Sequence, residues 1–443
     1  MKSPTENITL DSGLNLVMVP IPSSQVAVGF FIKAGSRNDY PGLKGVAHFL
    51  EHMVFRGTKN RTSEKIFAEM DALDLTYNGS TTAEKTFFYL TGNSCHLKKI
   101  LDIILDIFFN SNFPQKAFDS EKEVILKEKA QRQDVPFNKI NRMLNRKFFI
   151  GTTLQGEVVG TTKSIGSIQR RDLINFYKEF YTPENTVMVV CGGFASQPIT
   201  SIIKASMGKF QRDSLGISSS NYSADRVIIF KNMASQSEPF VYLDQVPIFK
   251  QAYISIAFPI YSNYNLMLKY VPFIISVLTS GFSSRLVSAL RIAKGLVYEL
   301  KAILISYSDC GLIVFQTLTN PSSVGQVIRI ILSELRRLTQ ERISKEEMEK
   351  LVPGSEKCEK DLITQPPQPP QISPDPLDLM IRTGITFLSR QGTMDKRSTT
   401  IPTFDSLMEA AKLLFVFSKV NIYVRGNLKD LSEVESLFRK KSR

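Results

Sequence analysis

Between residues 7 and 35, apolar and polar positions alternate with a period of two. This predicts strands at 8–10, 14–19 and 25–33, the first two separated by the turn Asp11-Ser12-Gly13. After a second turn, Asp39-Tyr40-Pro41-Gly42, the apolar residues of 45–55 recur at helical spacing. Further helices are predicted at 63–73, 97–109, 118–132, 142–149 and from 167 to 180, with strands at 78–90 and 186–190. The 97–109 segment is strongly apolar and 118–132 is heavily charged. Asn112-Phe113-Pro114 breaks the chain between those two, and Pro136 is expected to end the charged segment.

The order of elements then repeats. Strands at 253–258, 311–319 and 420–427 and helices at 266–279, 327–338 and 345–351 follow the sequence of the first half, with Pro272 expected to mark a kink or a late helix start. The polar, Ser-rich, aperiodic run 211–224 lies between the halves, and it places a linker at 214–225 that joins domains at 1–213 and 226–443. Seven prolines in 353–376 rule out a continuous helix there and predict an extended surface insertion, with helix resuming near 377.

Composition narrows the partners. A chain of 443 residues is too long for one core and suggests two domains of roughly 200 residues. Its net charge of +13 favours acidic partners, but no dense Lys/Arg run with interleaved aromatics occurs, so a nucleic-acid site is unsupported. Cys95, Cys191, Cys310 and Cys358 stand far apart, which fits a reducing compartment better than a disulfide framework or a sulfur-bound zinc ribbon. Residues 1–7 carry no apolar or Arg-rich leader, and no run of about 18 apolar residues exists, so a cytoplasmic chain with no membrane span is expected.

The candidate chemistry sits in Gly45-Val46-Ala47-His48-Phe49-Leu50-Glu51-His52-Met53-Val54-Phe55, which holds two of the three histidines in the chain. On a helix, His48 and His52 project from one face and Glu51 lies on the same side. Two imidazoles and a carboxylate converging on one point are what a hydrolytic Zn²⁺ site and its attacking water require, with Glu51 as general base. The third ligand should be a His or a carboxylate. His96 stands at a strand-to-helix junction without a supporting pattern, whereas Glu121, Glu123 and Glu128 fall in the charged helix. Glu121 and Glu128 are two helical turns apart and share a face, but spacing alone does not choose among the three.

With these residues the chain resembles the inverzincin peptidases: pitrilysin, insulin-degrading enzyme and the mitochondrial processing peptidases. The two-domain bacterial members of the processing-peptidase type are the nearest in pattern. The strongest part of the likeness runs from Gly45 through Thr58, where the base precedes the second histidine. The resemblance implies an α+β fold of two homologous domains, each a mostly antiparallel sheet with helices packed on one face. It implies one zinc per chain held by His48, His52 and Glu128, with Glu121 a second important glutamate. Asn78-Gly79-Ser80-Thr81 resembles the segment leading the edge strand on which these enzymes lay an extended peptide substrate, glycine replacing the usual alanine at position 79. Ser284–Arg291 and Gly295–Tyr298 resemble the family's Arg/Tyr segment, so Arg291 and Tyr298 would act as donors to the substrate carbonyl and the developing oxyanion. A homodimer, or a heterodimer with a related subunit, is expected. The leading expectation is therefore a zinc-dependent endopeptidase acting on peptides or unfolded segments. A catalytically inactive structural or partner subunit of the same fold is the alternative; such subunits typically lose motif residues that are all present here.

Overall fold

The computed structural model describes residues 5–207, 239–260, 269–351, 375–389 and 403–438. The predicted linker at 214–225 and residues 353–374 of the proline-rich segment lie outside them.

The first half runs β1 (Glu6–Thr9), β2 (Asn15–Pro20), β3 (Gln25–Ile32), α1 (Val46–Met53), α2 (Ser63–Asp71), β4 (Thr76–Thr81), β5 (Thr86–Asn93), α3 (Leu97–Asn110), α4 (Gln115–Gln133), α5 (Pro136–Phe148), α6 (Thr162–Ser167), α7 (Arg170–Phe180), β6 (Thr186–Gly192) and α8 (Ser196–Met207). The second half runs β7 (Phe240–Gln245), β8 (Ala252–Ile260), α9 (Val271–Thr279), β9 (Leu300–Ser306), β10 (Gly311–Thr319), α10 (Val324–Gln340), α11 (Lys345–Leu351), α12 (Pro376–Ser389), α13 (Phe404–Leu414) and β11 (Asn421–Gly426).

The chain divides into two compact units. In the first, six strands lie in the order β1-β2-β6-β3-β5-β4. Only β2 and β6 are parallel, and the remaining neighbours are antiparallel. Alternation along β3 separates its two faces. Val26, Val28, Phe30 and Ile32 face the main core with α1, α3 and α7, where Phe30 stacks on Phe108 of α3 at 4.2 Å between centroids. Ala27 and Phe31 face the other way, with Val17, Val19, Val187 and Val189, and this second face is covered by Met380, Phe387 and Leu388 of α12. One unit thus takes a helix from late in the sequence.

The second unit repeats the order without β1: β7-β11-β8-β10-β9, again with one parallel pair, β7 and β11. Its main core joins Ile254, Ile256 and Phe258 to α9, α10 and α13. On its opposite face lies α5, where Asn141 accepts from Gln316 at 2.8 Å and Phe137 meets Tyr253 edge to face. The α+β architecture with mostly antiparallel sheets is the one expected.

Three local expectations are corrected. The predicted strand 78–90 is a hairpin: β4 and β5 are joined by a polar turn in which Thr82 N–H donates to Lys85 C=O at 2.8 Å. The charged helix stops at Gln133, just before Pro136 as expected, but Pro136 also opens α5, where its missing N–H costs nothing in the first turn, so the helix predicted at 142–149 starts six residues earlier. Two further strands, β7 and β9, lie outside the predicted set. Pro272 sits in the first turn of α9, a late start and not a kink.

Candidate active site

The first anchor of the site is the burial of one side of α1. Val46, Ala47, Phe49, Leu50 and Met53 are all at most 1% exposed, and this fixes the direction in which the His48, Glu51 and His52 face points. The helix N-terminus is held from outside by buried Asp39, whose carboxylate accepts from Gly45 N–H at 2.8 Å and Ala47 N–H at 2.9 Å. These are donors that the helix itself cannot satisfy. Burial pushes the Asp39 carboxyl up to about 7, against the lowering effect of those two bonds and of Lys44.

The exit of α1 is tied down just as firmly. Buried Asp106 of α3 accepts from Thr58 Oγ1 at 2.7 Å, Asn60 Nδ2 at 2.6 Å and Arg61 Nη1 at 2.8 Å. Arg61 also reaches Asp102 and Glu69. The partner helix is positioned by packing: Phe49 of α1 stacks on Phe118 of α4 with centroids 4.7 Å apart and planes 10° apart. That contact sets α4 opposite the histidine face of α1.

The geometry brings His48, His52 and Glu128 together, with one ligand atom of each lying within 4.8 Å of the others. Glu128 Oε2 stands 3.7 Å from His48 Nε2 and 3.4 Å from His52 Nε2, yet this buried oxygen makes no hydrogen bond. Two ligand bonds of about 2.1 Å at the tetrahedral angle place their donors roughly 3.4 Å apart, which is close to both separations from Glu128. Two neutral nitrogens and one carboxylate oxygen also form a suitable donor set, leaving a fourth position open.

The neighbours distinguish the two imidazoles. Glu121, 3% exposed, takes His52 Nδ1 at 3.2 Å, which leaves Nε2 facing Glu128, and its other oxygen pairs with Arg56. Burial works against a charged His52, but the bond to Glu121 and the facing carboxylate of Glu128 outweigh it and lift this ring to about 9. His48 is driven the other way, to about 4, by burial and then by the charge of His52. Glu128 falls to about 2, mainly through its contact with His52. Its second oxygen is held by Arg132 at 2.6 Å, one turn along α4.

Glu51 lies in the same cleft, of about 390 Å³, lined also by Tyr77–Thr81 of β4. Burial raises its carboxyl above the usual range, and Thr81 Oγ1 donates to its Oε2 at 3.2 Å. Among the described strands β4 is the last in its sheet, so its outer edge is unpaired. Asn78 is exposed there, while Gly79, Ser80 and Thr81 are half-buried.

Arg291 and Tyr298 belong to the second unit. The Arg291 guanidinium lies 5.3 Å from the ring centre of Phe282 and 5.1 Å from that of Tyr298, whose ring is 79% exposed. Glu123 points to solvent and His96 ends a turn before α3; neither joins the cluster. Sequence reasoning missed Asp39, Arg56 and Arg132. Only Arg132 carried a readable signal, its spacing of four from Glu128 on a charged helix.

Residues 17–162 match the family described as "Insulinase (Peptidase family M16)", and residues 167–352 match "Peptidase M16 inactive domain". A Rickettsia bellii protein named "Uncharacterized zinc protease" is 29% identical over 343 residues, spanning 77% of this chain and 79% of its own. The mitochondrial-processing peptidase subunit beta of Lentinula edodes is 34% identical over 203 residues, 45% of this chain and 43% of that one. The crystal structure of a protease from Helicobacter pylori superposes with a TM-score of 0.79 at 18% identity, covering 96% of this chain and 99% of that one, a likeness of fold. Both halves of the chain are matched in order, and the chain belongs to the M16, insulinase-type peptidase family.

Proposed function

We propose that the chain is a zinc-dependent endopeptidase that hydrolyses extended or unfolded peptide segments. The observation that carries this reading is the meeting, in one cleft, of three candidate metal donors, a half-buried carboxylate and a strand edge unpaired among the described strands. His48, His52 and Glu128 would hold the metal, and a bound zinc would supply Lewis acidity toward the scissile carbonyl and an acidified water. The peptide would add to β4 through main-chain hydrogen bonds, a mode that reads extended conformation more than sequence. Glu51, with its carboxyl raised by burial, would take a proton from the attacking water and return it to the leaving amine. Glu121 would act through His52, fixing which nitrogen faces the metal, and is better described as a positioning residue than as a catalytic one. The same reading gives Arg291 and Tyr298 the part of hydrogen-bond donors to the bound peptide, supported by the ordering of the Arg291 guanidinium over two rings.

The test is metal analysis and peptide turnover for wild type and Glu51→Gln. Wild type should hold about one zinc per chain, and the variant should keep it while losing turnover by roughly 10²–10⁴-fold. A zinc-loaded wild type that cleaves no unfolded peptide would point to an inactive subunit of this fold.

A further inference from the structure

We propose that Thr81 is a positioning residue for the general base. The inference rests on the reading of Glu51 as the base. Residues 77, 79 and 81 point to one side of β4. On that side Tyr77 is wedged against Phe55 and Phe67, with centroids at 5.0 and 5.5 Å, which fixes the strand against the end of α1. Two residues on, a Cβ at Gly79 would stand 2.6 Å from Glu51 Oε1, 3.0 Å from its Cγ and 3.1 Å from its Cδ. The glutamate side chain therefore occupies the space that a side chain at 79 would fill. Two residues further, Thr81 Oγ1 donates to the other carboxylate oxygen. One oxygen is placed by contact with bare backbone and the other by a hydroxyl.

An exposed threonine–glutamate hydrogen bond would carry little by itself. Here the glutamate is enclosed, and its contact at Gly79 is independent of the bond at Thr81. The strand thus has two separate jobs on two separate sides. Its outer edge offers main-chain groups to a peptide, and its α1-facing side sets the direction of the base. Because the Thr81 hydroxyl faces Glu51, its loss should act on kcat and leave KM alone.

Thr81→Val keeps the β-branched shape and removes the hydroxyl. It should bind zinc as wild type does, with an unchanged KM and a kcat lowered roughly 10- to 100-fold, the effect of losing a hydrogen bond to a charged group. Thr81→Ser should restore most of the rate. Crystal structures of metal-free wild type and Thr81→Val supply a readout that does not depend on activity: the Glu51 carboxylate should sit on residue 81 in the first and turn away from β4 in the second. A Thr81→Val protein with wild-type kcat, with a changed KM alone, with lost zinc, or with Glu51 unmoved overturns the role of Thr81. If wild type cleaves nothing, the peptidase reading fails on its own, and the pair of structures still decides whether Thr81 orients Glu51.

Discussion

Replacing Glu121 by glutamine should weaken zinc binding without removing a ligand. Glu121 is 3% exposed and makes two contacts: Oε2 with His52 Nδ1 at 3.2 Å and Oε1 with Arg56. The amide keeps the shape but loses the charge that fixes the His52 proton on Nδ1 and makes Nε2 the better donor. A hydrogen bond to a charged group is worth about 1.5–3 kcal/mol, and outer carboxylates on ligating histidines are worth roughly 10–100-fold in metal affinity, so the two estimates agree. Arg56 is 36% exposed and can recover solvation, so its lost partner should add little. We expect the zinc dissociation constant of Glu121→Gln to rise roughly 10- to 100-fold, measured by competition with a chromophoric chelator at constant pH, with most turnover regained at saturating zinc. Glu128→Gln should be affected more severely, because it alters a donor. Glu123→Gln removes the same charge from the exposed side of α4 and should bind as wild type. An unchanged affinity in Glu121→Gln, or an equal loss in Glu123→Gln, would refute the argument.

Three further outcomes follow from the packing. In Gly384→Ala the new methyl would press on three ring atoms of Phe31, so thermal stability should fall by about 1–3 kcal/mol while zinc affinity holds, because α12 covers the sheet face away from the core that packs α1. Arg61→Met leaves buried Asp106 without its cation and should cost about 3 kcal/mol in denaturant unfolding of the zinc-free protein; a cost below about 1 kcal/mol would show the hub to be ornamental. Asp39 has its carboxyl raised from 3.8 to about 7 in the folded protein, so between those values the folded state holds a proton that the unfolded chain has released. Stability should therefore decline as pH rises through that window, by about 4 kcal/mol at most, and level off above it. Asp39→Asn, melted in chelator, should lack that slope; parallel curves for the two proteins would contradict it.

The site was more legible in the sequence than the fold around it. His48, Glu51 and His52 fall within five residues of a chain with three histidines, and helical periodicity alone puts them on one side of α1. Glu128 was not fixed by spacing, because any of three glutamates on α4 could turn toward α1. Stacking of Phe49 on Phe118, a contact between segments nearly seventy residues apart, holds α4 against α1, where Glu121 and Glu128 both meet His52 and only Glu128 also meets His48. Asp39 was invisible for the same reason: as a helix cap it lies outside the segment it caps, in a loop whose course depends on the tertiary fold. Periodicity reads the hairpin of β4 and β5 as one strand because no glycine or proline marks the turn at 82–85. It is held by Thr82 bonding to the main chain of Lys85. The sequence position of α12 gave no hint that it would cover the sheet of the first unit, because its amphipathic pattern shows that a face is buried but not against what.

The duplicated topology also explains why a single metal centre is expected. In the first unit the helix that follows β3 is α1, and in the second the helix that follows β8 is α9. The two occupy the same step of the same strand order, yet α9 reads Val-Pro-Phe-Ile-Ile-Ser-Val-Leu-Thr, without a histidine or a carboxylate. Its residues Val271, Ile274, Ile275 and Leu278 do what Val46, Phe49, Leu50 and Met53 do in α1, which is to bury one side against the sheet. Sheet order and core pattern are thus preserved where the chemistry is absent, so the fold does not create the site. What creates it is the polar side of α1 together with Glu121 and Glu128 of α4. A zinc content near two per chain would contradict this reasoning, because the second unit offers no donor set among its described residues.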